Sequence, residues 1–214
     1  GIKNYYAPIP RLFGVIPFSI AKIVLPIIQK LKIQERKEIK SFEQVLFIAG
    51  AITGDFFSKD VYWIRKAIKE FKPDIIFAEF RPAAIVAAKL EKIKVITDFS
   101  YPTRKTYASS PEYSKNVKYF LKENNLPEIE SVLDIFEWAD EKVIASSYSL
   151  EPIAGENIHF VGPIISFAKK SRSTGVKNVI FYLGTGTISY HKTVKVAIET
   201  FKDSDYQVYI AVPS

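Results

Sequence analysis

The stretch FKPDIIFAEFRPAAIVAAKLEKIKVITDFS, residues 71–100, constrains the fold of this chain more than any other. IIFAEF (75–80) is a short apolar run with the length of a buried strand. PAAIVAAKLEK (82–92) reads as a helix with proline in its first turn, where a missing N–H costs nothing. KVITDFS (94–100) is a second strand. Two strands joined through a helix run parallel, so this segment predicts a parallel α/β sheet.

The pattern extends in both directions. KDVYWIRKAIKEF (59–71) places Val61, Ile64, Ile68 and Phe71 at helical spacing, with Asp60 in the first turn, and Pro73 stops the helix at Lys72. Residues 101–131 are polar, aromatic and turn-rich, with one helix expected near 113–123. Further strands are expected around Lys142–Ala145 and Ile158–Val161. After Gly162-Pro163, IISFAKKSRSTGVK (164–177) is basic and rich in small polar residues, as a linker is. Beyond it the pattern restarts with a strand (178–183), a glycine loop, a helix (190–202) and a strand (206–212). We therefore expect one α/β domain over 1–163, a linker over 164–177 and the opening of a second α/β domain over 178–214.

The first 40 residues differ from the rest. They hold eight basic residues against Glu35 and Glu38, which accounts for six of the seven net positive charges. FGVIPFSIAKIVLPII (13–28) is the most apolar part, but Pro17, Lys22 and Pro26 interrupt it and it is too short to span a bilayer. Burial is the default expectation, and a patch for a membrane surface or a lipid acceptor is the sharper one. No nucleic-acid-binding signature is present. The chain has no cysteine, and His159 and His191 lie far apart, so neither thiol chemistry nor a histidine metal site is expected. It has no methionine either, from which we expect an internal fragment of a longer protein or a sequence with some residues missing.

In open parallel sheets, ligands sit beyond the carboxyl ends of the strands. The candidates there are Glu79 and Arg81, then Asp98, Ser100, Tyr101 and Arg104, and in the second domain Gly184, Thr185, Gly186 and Thr187. A carboxylate such as Glu79 can orient a base or an acceptor hydroxyl, and a surface acid at a strand end is the plainer reading. Asp98 carries the same two readings. His191, in the first turn of its helix, is expected to cap or face solvent rather than act as a base.

VIFYLGTGTISYHK (179–192) ends a strand in a glycine- and hydroxyl-rich loop. It is not a Walker A loop, because Lys192 is too distant. It is not a dinucleotide fingerprint, because position 189 is serine and the next strand ends without an acid. A cradle for a diphosphate at a helix N-terminus and an ordinary strand-to-helix turn both remain open.

Taken in order, the segments resemble the GT-B glycosyltransferases, the UDP-glycosyltransferase and MurG-like group. FKPDIIFAEFRPAAIVAAKLEKIKVITDFS is similar to part of the acceptor domain, and WADEKVIASSYSLEP to its last strand and following loop. ENIHFVGPI resembles the entry to the interdomain linker. VIFYLGTGT and YQVYIAVPS resemble the first two strands of the nucleotide-sugar domain. The resemblance implies two Rossmann-like domains facing across a cleft, both incomplete here. The first strand and glycine-rich loop of the acceptor domain have no counterpart near Gly1, and the later donor motif would lie beyond Ser214.

It further implies transfer of a sugar from a nucleoside-diphosphate donor, with UDP expected, to an acceptor hydroxyl, without a metal and with no cofactor besides the sugar nucleotide. Gly184–Thr187 would face the donor diphosphate. Glu79 would correspond to an acid that orients the catalytic base. Arg81, Asp98, Ser100, Tyr101 and Arg104 would lie on the acceptor side. A cytoplasmic protein touching the membrane through residues 1–40 would suit a lipid-linked acceptor. The alternatives are a UDP-N-acetylglucosamine 2-epimerase-type enzyme on the same fold, or a non-catalytic subunit completed by a partner chain.

Overall fold

The computed structural model describes residues 4–21, 23, 39–162, 175–182 and 190–211. The chain divides into two compact units, Gly1–Ile164 and Ile165–Ser214.

The first unit is built on four parallel strands in the order β1 (Ile75–Ala78), β2 (Lys94–Asp98), β3 (Glu141–Ile144) and β4 (Ile158–Phe160). Its helices include α1 (Phe42–Ile48), α2 (Phe56–Phe71), α3 (Pro82–Glu91) and α4 (Lys115–Glu123). Helix α3 follows β1 after a single strand-to-helix turn and leads straight into β2, as the short links in the sequence require. Its alanines let it press against β1 and β2, and every residue from Pro82 to Ala88 is buried. Burying Ile85 and Val86 in this way is worth roughly 2 kcal/mol each.

Helix α2 begins at Phe56, three residues before the periodicity suggests. The reason is Phe57, which is buried with its ring 5.5 Å from that of Phe120 on α4. Asp60 is therefore not a first-turn acid but a buried one. The helix ends as expected, with Lys72 in the left-handed region (φ 53°) ahead of Pro73. Helix α1 is capped by Ser41, which accepts a hydrogen bond from the Gln44 amide (3.2 Å), while the Gln44 side chain accepts one from the Lys40 amide (2.9 Å).

The helix expected near 113–123 is a tight turn over Pro111–Ser114 followed by α4. A second tight helical segment, Val132–Trp138, buries Val132, Leu133, Ile135 and Phe136 in the same core. The strands are shorter than their apolar runs: β1 stops at Ala78 and β2 at Asp98.

The expectation of a buried segment over residues 13–28 is not met where the structure describes it. Val15, Ile20 and Ile23 are 68%, 50% and 67% exposed, and among the described residues of this stretch only Ala21 is buried. Residues 22 and 24–28 lie outside the described part.

The second unit pairs β5 (Lys177–Tyr182) in parallel with β6 (Tyr206–Ala211), joined through α5 (Tyr190–Phe201). Phe201 packs edge-on against Phe181 and Tyr206, with ring centroids 6.2 and 5.7 Å away.

Candidate functional site

The carboxyl ends of β1, β2 and β3 lie side by side, because the strands are parallel and in register. Each end contributes polar side chains. Glu79 follows β1, Asp98 closes β2, and the turn after β3 brings Glu151 back to the residues that follow β2.

Asp98 is half-buried. Its carboxyl is pushed above the ordinary range, first by burial and then by the Glu79 carboxylate nearby. The shift is one-sided: burial and a neighbouring carboxylate both disfavour the charged form of Asp98. Glu79 is followed by Phe80, held at φ 46°, a left-handed conformation that is strained for an aromatic residue. That turn opens Glu79 onto a hollow of about 280 Å³ whose walls include Pro10, Leu46, Phe57 and Pro82.

Arg81 lines the same hollow, but its guanidinium is already engaged. Nε donates to Asp60 Oδ2 at 2.9 Å, and Nη2 donates to the other oxygen. The Asp60 side chain is almost fully buried, so this fork holds α2 to the turn between β1 and α3. A second, more apolar hollow of about 220 Å³ lies between residues 5–8 and α2, walled by Tyr6, Trp63, Phe71 and Ile76.

Ser100 and Tyr101 are placed by Glu151. The Ser100 hydroxyl donates to Glu151 Oε1, and the Tyr101 amide donates to the same oxygen at 2.9 Å. Ser100 also caps the short turn Tyr101–Thr103, whose Thr103 side chain accepts from the Ser100 amide at 3.1 Å. The Tyr101 ring stacks on Tyr107 at 5.3 Å. Arg104 is half-buried, and its guanidinium makes no ion pair among the described residues.

Glu79, Asp98, Ser100 and Tyr101 thus gather at one end of the sheet, while Arg81 is tied back to α2. Gly184, Thr185, Gly186 and Thr187 lie outside the described residues. Their flanks are as expected, a strand ending at Tyr182 and a helix starting at Tyr190. His191 is in the first turn of that helix, its ring edge-on to Tyr190 at 5.7 Å.

Two acids were not foreseen from the sequence. Glu151 stands just before Pro152 in a serine-rich turn after β3, and a carboxylate in such a turn was the available signal. Glu43 is fully buried on α1 and accepts from the Ser110 amide and from the hydroxyls of Ser131 and Ser114 (3.4 Å for the last). Nothing local marks it, because its partners lie 67 to 88 residues away. Among the described residues no group of His, Cys, Asp and Glu could hold a metal ion. Among them, too, no helix is long and apolar enough to cross a membrane.

No family model matches the chain, and no curated protein is similar to it. Among solved structures, the chain superposes on the glycotransferase of kitacinnamycin with a TM-score of 0.52 and 15% identity, over 74% of this chain and 48% of that one. The glycosyltransferase SsfS6 of Streptomyces sp. SF2575, solved with thymidine diphosphate, gives a TM-score of 0.47 and 15% identity over 84% of this chain and 49% of that one. MurG of Acinetobacter baumannii gives 0.39 and 8% over 74% and 47%. The last two superpositions are too loose to carry an argument. The chain spans about half the length of the structures it matches. At this identity the first likeness shows the fold alone: an α/β chain with parallel sheets, of the GT-B glycosyltransferase type, and incomplete relative to it.

Proposed function

We propose that the protein to which this chain belongs transfers a sugar from a nucleoside-diphosphate donor to an acceptor hydroxyl. The observation that carries the reading is the carboxylate pair Glu79 and Asp98 at the strand ends of a glycosyltransferase fold. In the reaction, the acceptor oxygen forms a bond to the anomeric carbon as the bond from that carbon to the diphosphate breaks. The hydroxyl proton passes to the carboxylate pair, and the nucleoside diphosphate leaves. A carboxyl raised above its ordinary range is a stronger base once ionised. Ser100 and Tyr101, fixed by Glu151, line the acceptor side, with Arg104 beside them.

The donor half of the reading rests on the sequence. Gly184, Thr185, Gly186 and Thr187, between β5 and α5, would present amides and hydroxyls to the diphosphate and stabilise it as it leaves, with no metal needed. UDP is the expected nucleotide. A lipid-linked acceptor, met by a cytoplasmic protein resting on the membrane, is supported by the exposed apolar side chains of Ile9, Val15, Ile20 and Ile23 beside the basic first 40 residues.

Calorimetry of the complete gene product with UDP and UDP-sugars tests the donor reading. Binding that weakens about tenfold in Thr185→Val and Thr187→Val, the loss of roughly one hydrogen bond to a charged group, supports it. The absence of binding to any nucleotide sugar would overturn it.

A further inference from the structure

The loop that leaves β2 is pinned along its length. The Tyr101 amide donates to Glu151 Oε1 at 2.9 Å, and the Thr103 hydroxyl donates to the Ser100 carbonyl at 2.8 Å. Lys105 pairs with Glu130 and with Asp134, each at 3.0 Å, which ties the loop to the Val132–Trp138 segment and the residues just before it. The Arg104 carbonyl accepts from the Tyr107 amide at 3.1 Å, so one tight turn folds Tyr107 back onto Tyr101. The two rings lie 5.3 Å apart and 27° from parallel. Tyr101 rests on the core, and Tyr107, 67% exposed, is the outer member of the stack.

Two groups of this pinned loop are left without a role in the fold. One is the outer face of the Tyr107 ring. An aromatic ring already fixed by its neighbour offers an apolar surface at little further loss of side-chain freedom. The other is Arg104. Arg65 pairs with Glu91 and Arg81 forks onto Asp60, whereas the half-buried Arg104 guanidinium has no acceptor among the described residues. Glu151 does not serve it, being engaged by the Ser100 hydroxyl and the Tyr101 amide. A guanidinium drawn partly out of water without an acceptor carries a desolvation cost that no described group offsets. Its planar fork fits the two oxygens of a carboxylate or a phosphate.

We propose that Tyr107 and Arg104 form a subsite for a ring that carries an oxyanion. The ring lies on the exposed face of Tyr107, and its carboxylate or phosphate pairs with Arg104. This rests on reading the strand ends as the acceptor side, and it narrows the acceptor to an acidic hydroxyl compound: a sugar acid, a sugar phosphate or a hydroxylated aromatic acid. All three share a ring with an apolar face and an anion attached to it. An aromatic side chain accepts either kind of ring, because the contact is broad and apolar. Arg104 then sets the choice of acceptor, since a neutral one would leave the guanidinium unpaired under the bound ligand.

Calorimetry of the complete gene product without donor tests it, with three pairs of probes that differ in charge: glucuronate and glucuronamide, glucose 6-phosphate and glucose, 4-hydroxybenzoate and 4-hydroxybenzamide. In at least one pair the anion should bind about tenfold more tightly, and the pair that shows it separates sugar acid, sugar phosphate and aromatic acid. Arg104→Gln should remove that preference and leave the neutral member within about twofold of the parent. Arg104→Lys should restore part of it, because the charge remains and the fork is lost. Tyr107→Ala should weaken both members about fivefold, while Tyr107→Phe should keep them. Equal binding within every pair, no binding by any probe, or a preference that survives Arg104→Gln would overturn the proposal. UDP release is the separate readout: a charge preference in a protein that releases no UDP would keep the subsite and remove the transfer reading.

Discussion

Asp98 ends β2 beside Glu79, and its carboxyl is raised by its own burial and by the Glu79 charge. The folded chain thus holds the Asp98 proton more tightly than the unfolded chain does. The stabilising contribution is full below 3.8, the ordinary value, and is lost as pH rises through the raised one. Asp98→Asn removes the ionisation. We expect the variant to match the parent in Tm at pH 3 and to exceed it at pH 7. Thermal unfolding at the two values checks this, and a variant less stable than the parent at pH 7 would show that the Asp98 charge is compensated.

The fork between Arg81 and buried Asp60 ties α2 to the turn carrying Glu79. Arg81→Gln strands the Asp60 carboxylate in the interior and should cost about 2 kcal/mol, reduced from the fully buried case because the Arg81 side chain is 42% exposed. Arg81→Gln combined with Asp60→Asn should recover part of that loss. A double-mutant cycle by urea unfolding measures the coupling, and additive effects would mean that the pair does not interact.

Glu43 draws three separate parts of the chain to α1 through Ser110, Ser114 and Ser131. Glu43→Ala leaves a buried amide and hydroxyls without an acceptor and should cost about 3 kcal/mol. Ser114→Ala should cost less, about 1 kcal/mol, because its 3.4 Å contact with Glu43 is long, although its oxygen also accepts from the Val132 amide at 2.8 Å. Chemical denaturation of the two variants ranks them.

The features legible in the sequence are those with a local cause. Pro73 stops α2, Pro82 starts α3, and the apolar runs on either side of α3 become β1 and β2 in parallel. What escaped was set by partners distant in the chain. Asp60 passes for a helix-start acid until Arg81, 21 residues on, is seen to hold it. Glu43 and Glu151 find their donors 50 to 88 residues away. The N-terminal apolar run misled because hydrophobicity reports a tendency to be covered and not what does the covering. The strand ends hold Glu79, Asp98, Ser100 and Tyr101 together, as parallel register requires, whereas Arg81 is bound to Asp60.

The most direct measurement is release of UDP from UDP-sugars by the complete gene product, parent against Glu79→Gln, with donor affinity followed in parallel. If the carboxylate pair takes the acceptor proton, turnover should fall by about 100-fold while donor binding is unchanged. Undiminished turnover in Glu79→Gln would contradict the role assigned to these strand ends, and so would a parent protein that releases no UDP from any UDP-sugar.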